Sequence, residues 1–231
     1  MSDPAAQGPA QGKDLATAQV EPGQGQSRLE RTATTIVTRL VDAGIDGVGP
    51  LDPAADAAEA ARTAAGSTEA AIEQLVATHL KLAAAGGFVT GLGGFVTLPV
   101  ALPANVAGFY GIATRLVAGI AHLRGYDLAQ PEVRTAVLLT LVGADSRSIL
   151  AKGGISPVGK ISDLALQRLP GPALMVINKG IGFNLLSQLG KKGLSRLGRG
   201  LPLAGGVIGG GLDYWLLRKI ARSAREEFVQ R

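Results

Sequence analysis

An all-α fold is predicted for this chain of 231 residues, and three observations predict it. Apolar residues recur at spacings of three, four and seven along most of its length, which is the period of a helix face. No stretch of useful length alternates apolar and polar residues as a half-buried strand does. The composition is 46% hydrophobic but only 4% aromatic, with 33 glycines, about twice the usual share of roughly 7%. A core of Ala, Val, Leu, Ile and Gly suits closely packed helices. The expected architecture is a single helical bundle over residues 28–231, with a glycine-rich, tightly packed central helical hairpin. A disordered tail over residues 1–27 precedes it.

The elements follow in order. Residues 1–27 are rich in Ala, Gln, Gly and Pro and carry too little apolar surface to offset ordering entropy. Leu29, Ile36, Leu40 and Ala43 predict a helix over 29–43, and Gly44–Pro53 reads as a loop. An alanine-rich acidic helix over 54–65 starts at a cap near Asp52. Ser67 or Thr68 caps the next helix, whose buried stripe is Ile72, Leu75, Val76, His79 and Leu82.

From residue 82 to residue 114 the chain has 33 consecutive residues without a charge. Ala83, Gly87 and Gly91 fall four apart within it. Pro99 and Pro103 predict a break, so the run reads as two half-helices, one ending near Leu98 and one starting after Pro103. Residues 83–98 would span about 24 Å, short of a bilayer core of roughly 30 Å. The stretch is therefore read as a hairpin, either re-entrant in a bilayer or central to a soluble bundle.

Gly125-Tyr126-Asp127 closes the second half-helix, and Pro131 opens another at its first turn, through Val133, Val137, Leu138 and Leu141. Residues 145–170 are broken by Gly153, Gly154 and Pro157. Residues 172–197 are helical on Ile177, Ile181, Leu185 and Leu189. A second glycine cluster fills 201–212. The last helix, 213–228, carries Leu217, Ala221, Ala224 and Phe228 on one face, with Asp213 as its N-cap or first-turn acid.

Several classes of chemistry are excluded or disfavoured. The chain has no cysteine, so it has neither disulfides nor thiolate metal sites. It has two histidines, His79 and His122, and no spacing that forms a metal site or a Ser-His-Asp set. No cofactor and no catalytic residue is implied. Gly154 to Ile161 resembles a phosphate loop, but Ile161 stands where the Mg²⁺-binding hydroxyl belongs, Pro157 removes a donor and no strand precedes it. The first 27 residues contain no signal-peptide core, so the expected location is the cytoplasm or the inner face of the cell membrane.

Charge is segregated along the chain. Residues 1–85 hold 6 Lys/Arg and 11 Asp/Glu, whereas residues 179–231 hold 10 and 3. The basic quarter offers candidate membrane or partner contacts at Lys191, Lys192, Arg196, Arg199, Arg218, Arg222 and Arg225. Trp215, beside Tyr214 and just before Arg218, suits a membrane interface. Few aromatics and no reading motif argue against nucleic acid as the partner. Gly87, Gly91, Gly206 and Gly210 are candidate helix-packing positions, because small residues let two helices approach closely. His79, Asn105, Asp127 and Asp213 are the candidate polar groups of a pocket. His79 reads first as a core histidine with one hydrogen-bond partner, Asn105 as a cap or an interhelical bond, and Asp127 as a turn cap.

Two segments together resemble the EcsC protein family. The first runs from Ala85-Gly-Gly-Phe through Leu98-Pro-Val-Ala-Leu-Pro103-Ala-Asn to Gly125-Tyr-Asp127. The second is Leu201-Pro-Leu-Ala-Gly-Gly-Val-Ile-Gly-Gly-Gly-Leu-Asp213-Tyr with the basic helix behind it. The resemblance covers roughly residues 70–228, and family members often carry Asp where this chain has Asn105. It implies an accessory role beside an ABC transporter and no established catalytic activity. The leading expectation is a peripherally membrane-associated helical protein that meets an anionic membrane surface or lipid, or supports a transporter or other membrane protein. The alternative is a soluble enzyme or small-molecule-binding protein with an apolar, glycine-lined pocket.

Overall fold

The computed structural model describes residues 22–48, 52–92, 94–156, 159–196 and 202–231, with side chains described for all of these except 22–27, 29–30, 90–106, 166 and 189–205. The helices in chain order are α1 (Pro22–Val41), α2 (Ala54–Ala65), α3 (Thr68–Leu92), α4 (Gly94–Leu123), α5 (Pro131–Val142), α6 (Ser146–Lys152), α7 (Gly171–Arg196) and α8 (Pro202–Glu227). A π-helical turn (Asp42–Asp46) follows α1, and 3-10 turns lie at Gly143–Asp145 and Ile161–Leu166. No strand occurs among the described residues.

The core follows the helical periodicities. Ile177, Ile181 and Leu185 of α7 are buried, as are Leu217, Ala221 and Ala224 of α8 and Phe228 just beyond it. In α5, Val133 and every residue from Thr135 to Val142 are buried. A helix apolar on all sides belongs in the centre of a bundle, and α5 touches α4, α7 and α8. Around it, α3 packs most extensively on α8 and then on α4, α2 covers α3 and α4, and α1 lies along α7.

The contact between α3 and α8 is made by backbone. A Cβ on Gly87 would lie 2.7 Å from the carbonyl oxygen of Gly209 and 2.5 Å from Asp213 Oδ2. One on Gly209 would lie 2.6 Å from the carbonyl oxygen of Gly87, and one on Gly210 2.7 Å from that of Ala84. No side chain fits these gaps, so glycine is what allows the helices to touch. The pairing runs antiparallel, since Arg225 at the far end of α8 reaches Glu69 at the start of α3, 3.4 Å away.

Several boundaries differ from those the sequence predicts. α1 starts at Pro22, ahead of Leu29, so residues 22–27 are helical and not part of a tail. Proline is well placed at a first helical position, and the apolar stripe marks only where a helix is covered. The rest of the expected tail, residues 1–21, lies outside the described residues. α4 runs unbroken from Gly94 to Leu123, with Pro99 and Pro103 inside it. Both prolines lie beyond the first turn of α4, so each removes one i→i−4 hydrogen bond and crowds the carbonyl four residues before it, while its fixed φ is still compatible with a helix. α8 starts at Pro202, so the glycine cluster is helix and Asp213 lies in its interior, not at its cap. Burial against α3 favours helix there over the glycines' own preference. At α2 the N-cap position is Pro53, with no side-chain cap, and Asp52 does not serve as one. Ser67 does cap α3, its Oγ accepting from the Ala70 N–H at 3.3 Å.

The Gly125-Tyr126-Asp127 segment is a joint. The Gly125 N–H donates to the His122 carbonyl at 2.9 Å and the Tyr126 N–H to that of Ala121 at 3.1 Å, with Gly125 at φ +90°. This hydrogen-bond pair ends a helix on a left-handed glycine. Tyr126 then meets Phe228 edge-on at 5.2 Å, and Arg231 lies over the Tyr126 ring at 4.7 Å. The end of α4 and the end of the chain are thereby held together.

The acidic first part of the chain pairs with later basic residues. Asp46 takes Arg134 through both carboxylate oxygens at 2.6 and 2.8 Å, and Glu69 takes Arg124 at 2.5 Å. Such partly exposed pairs contribute little individually, about 0–1 kcal/mol, but they fix which faces meet.

Two neighbouring glycines test the α3–α8 contact. Gly87→Ala forces the backbones apart and should cost roughly 1–3 kcal/mol. A Cβ on Gly86 meets nothing within 4 Å, so Gly86→Ala should gain up to about 1 kcal/mol from helix propensity. Thermal melting should move the two midpoints in opposite directions.

Candidate functional site

An open cavity of about 600 Å³ lies between α2, α3 and α4, beside the π-helical turn. Ala57, Ala60 and Ala61 of α2 form one wall, and Ala107, Gly108 and Gly111 of α4 form another. Leu75, Leu82 and Ile112 complete an apolar lining. The short side chains on two facing helices leave this volume unfilled. Leu82, expected in the buried stripe, is 49% exposed because it stands at this cavity instead of under a neighbouring helix.

The polar groups of the lining are Gln74, Thr78, His79 and Arg115. Gln74 and Thr78 are exposed, whereas His79 is only 3% exposed. Its Nδ1 donates to the Leu75 carbonyl at 2.8 Å, which fixes the proton on that nitrogen. Its Nε2 is buried without a hydrogen-bond partner among the described residues. Desolvation holds the imidazole below its ordinary pKa of 6.5; the Leu75 bond opposes this, and the charge of Arg115 adds to it. At neutral pH the ring is uncharged and Nε2 is a bare acceptor.

Arg115 ends the charge-free run and is half-buried at the cavity. Its Nη1 donates to the Asp52 carbonyl oxygen. No carboxylate pairs with it among the described residues. Sequence reasoning did not single it out, although a cation directly after 33 uncharged residues was a visible signal.

The other expected pocket groups lie elsewhere. Asp127 Oδ1 accepts from the Ala129 N–H at 2.9 Å, in the turn ahead of α5. Asp213 is 5% exposed, with Oδ2 against Gly87 at the α3–α8 contact. Asn105 belongs to the side chains outside the description. Of the three described, only His79 lines the cavity.

A second polar chain links α4 to α7. The Tyr110 hydroxyl donates to Gln188 Oε1, Gln188 to Asn184 Oδ1 and Asn184 to Asp145 Oδ2, each at 2.6 Å. Burial pushes the Tyr110 hydroxyl up to about 12, so it stays a donor at neutral pH. The phosphate-loop-like segment is occupied by the protein itself. The Lys160 N–H donates to Asp163 Oδ2 at 2.7 Å and the Ile161 N–H to Glu227 Oε2 at 2.6 Å. Carboxylates take both of these donors, and helix α6, not a strand, comes before them.

On the surface, Trp215 is 59% exposed, with Lys219 Nζ 6.0 Å from its ring centre. Arg218 and Arg222 are exposed, while Arg225 is half-buried against Glu69 and Glu73. The side chains of Lys191, Lys192 and Arg196, and all of Arg199, lie outside the description; Gly91 is in α3, but its surroundings lie outside the description. Among the described residues, no His/Cys/Asp/Glu group could hold a metal, and no helix is long and apolar enough to cross a membrane.

These features define an all-α protein organised on a glycine-paired helix contact, with an open apolar cavity between α2, α3 and α4. The chain belongs to the EcsC protein family, whose model matches residues 65–231. The match takes in the glycine contact, the Gly-Tyr-Asp joint and the cavity faces of α3 and α4. No curated protein and no solved structure matches the chain.

His79 gives a pH test. Its folded pKa is lowered, so between that value and 6.5 the unfolded chain binds a proton that the fold does not. Its contribution to stability is full above about 6.5 and is lost as the pH falls through the folded value. Urea unfolding at falling pH should show this loss, up to about 1.4 kcal/mol per unit, and His79→Phe should remove that component.

Proposed function

We propose that this protein is an accessory protein of the cytoplasmic membrane face, attached peripherally through the glycine-paired end of α3 and α8. The observation that carries this reading is the order of exposed side chains along α8. Val207, Ile208 and Leu212 come first, then Tyr214 and Trp215, then Arg218, Lys219 and Arg222. From Ile208 to Arg218 the helix rises about 15 Å. That order matches the depth profile of a bilayer surface: apolar at the acyl boundary, aromatic at the interface, cationic among the headgroups.

Further features support it. The antiparallel pairing sets the exposed Phe88 and Val89 of α3 at the same end, next to Gly209 and Gly210. Large apolar side chains gathered at one place mark a contact surface. Arg225 is engaged by Glu69 and Glu73, which leaves Arg218, Lys219 and Arg222 as the headgroup contacts. Each well-placed cation contributes about 1 kcal/mol at an anionic surface. The resemblance to proteins encoded beside an ABC transporter makes a transporter the natural protein partner there.

Liposome flotation tests the reading. The protein should rise with phosphatidylglycerol-containing vesicles at low salt and less so as salt is raised. Trp215→Ala combined with Ile208→Asp should abolish flotation while leaving the melting temperature unchanged, since both positions are exposed. Wild-type protein that stays at the bottom with anionic vesicles at low salt would sink the proposal.

A further inference from the structure

We propose that the cavity between α2, α3 and α4 is a binding site for a single-chain lipid acid, in its simplest form a fatty acid. Its chain would lie along the alanine and glycine walls, with its carboxylate between Arg115 and His79. This goes beyond membrane attachment and does not depend on it.

The size and lining set the body of the ligand. About 600 Å³ is within the range of roughly 300–1,000 Å³ of small-molecule sites. Ala61, Leu75, Gly111 and Ile112 present carbon with no side-chain donor or acceptor. A sugar or nucleotide would leave its many polar groups unpaired against such walls, a heavy desolvation cost. A slim apolar chain would not.

Arg115 and His79 set the head. Arg115 brings a positive charge to an apolar surface, and its only described hydrogen bond is to a backbone oxygen. A guanidinium so placed complements a carboxylate, which it can meet through two parallel N–H bonds. A neutral lipid would leave this charge unused, and a cationic one would be repelled. His79 supplies the second contact. His79 lines the cavity, and its Nε2 is buried without a partner among the described residues; an orphaned buried polar atom is costly until some group pairs with it. It accepts from a protonated carboxyl. When a carboxylate arrives, the new negative charge favours the imidazolium, which donates instead. In either form one proton lies between His79 and the ligand head, and a seated anion opposes the desolvation that keeps the ring neutral.

Isothermal titration with decanoate and with decanol separates head from chain. Wild-type protein should bind decanoate one to one and decanol about tenfold more weakly or worse, the loss of a charge-assisted bond. Arg115→Gln should weaken decanoate by a similar factor and leave decanol unchanged. His79→Gln should weaken decanoate while keeping the fold. Ala57→Phe, on the half-exposed α2 wall, should block both ligands. Melting curves for each variant check that it is folded. No decanoate binding up to about 1 mM would overturn the proposal. So would equal affinity for acid and alcohol, or binding that survives both Arg115→Gln and Ala57→Phe.

Discussion

Gly87 of α3 and Gly209 and Gly210 of α8 bring two helix backbones into contact, with carbonyl oxygens where side chains would otherwise stand. Such a contact has no room to adjust. It sets the register of α8 on α3, and with it the pairing of Arg225 with Glu69 at the other end. It also sets what each helix presents elsewhere. With Gly87 turned to α8, α3 turns Leu75, His79 and Leu82 toward α2, α4 and the cavity. With Gly209 and Gly210 turned to α3, α8 carries Ile208, Leu212 and Trp215 outward. The apolar end and the cavity are two consequences of one packing constraint.

The buried polar groups follow the same economy. Asp213 is held at the glycine contact, where a Cβ on Gly87 would strike its Oδ2. Tyr110 is buried with its hydroxyl bonded through Gln188 and Asn184 to Asp145, tying α4 to α7. His79 has one ring nitrogen satisfied and the other not. Ser162 Oγ, Arg62 Nε and Arg124 Nε are also buried without a hydrogen-bond partner among the described residues, but of these four groups only His79 lines the cavity. Its place beside a cation and an unfilled volume gives it chemical meaning.

Segregated charge has a structural use as well. The acidic first third meets the later arginines across the bundle, as in Asp46 with Arg134 and Glu69 with Arg124. From the basic C-terminal quarter, Arg225 is engaged in the same way by Glu69 and Glu73. The residual cations on α8, at Arg218, Lys219 and Arg222, lie just beyond Trp215.

Local patterns in the sequence determined the fold class, the buried faces of α5, α7 and the end of α8, the Ser67 cap and the helix end at Gly125. These depend on periodicity and on the stereochemistry of single residues, which are written in the order of the chain. Tertiary structure decided the rest. The glycine cluster was placed ahead of a last helix starting at 213, yet it is helix, with Gly209 and Gly210 packed on α3, and this moved Asp213 from a cap to an interior position. Pro99 and Pro103 read as a break, yet α4 passes through them. His79 was legible as a core histidine, but its partner in the site, Arg115, lies 36 positions further along the chain. A cavity exists only where side chains on separate helices are too small to meet, and no local pattern in a sequence records the distance between helices.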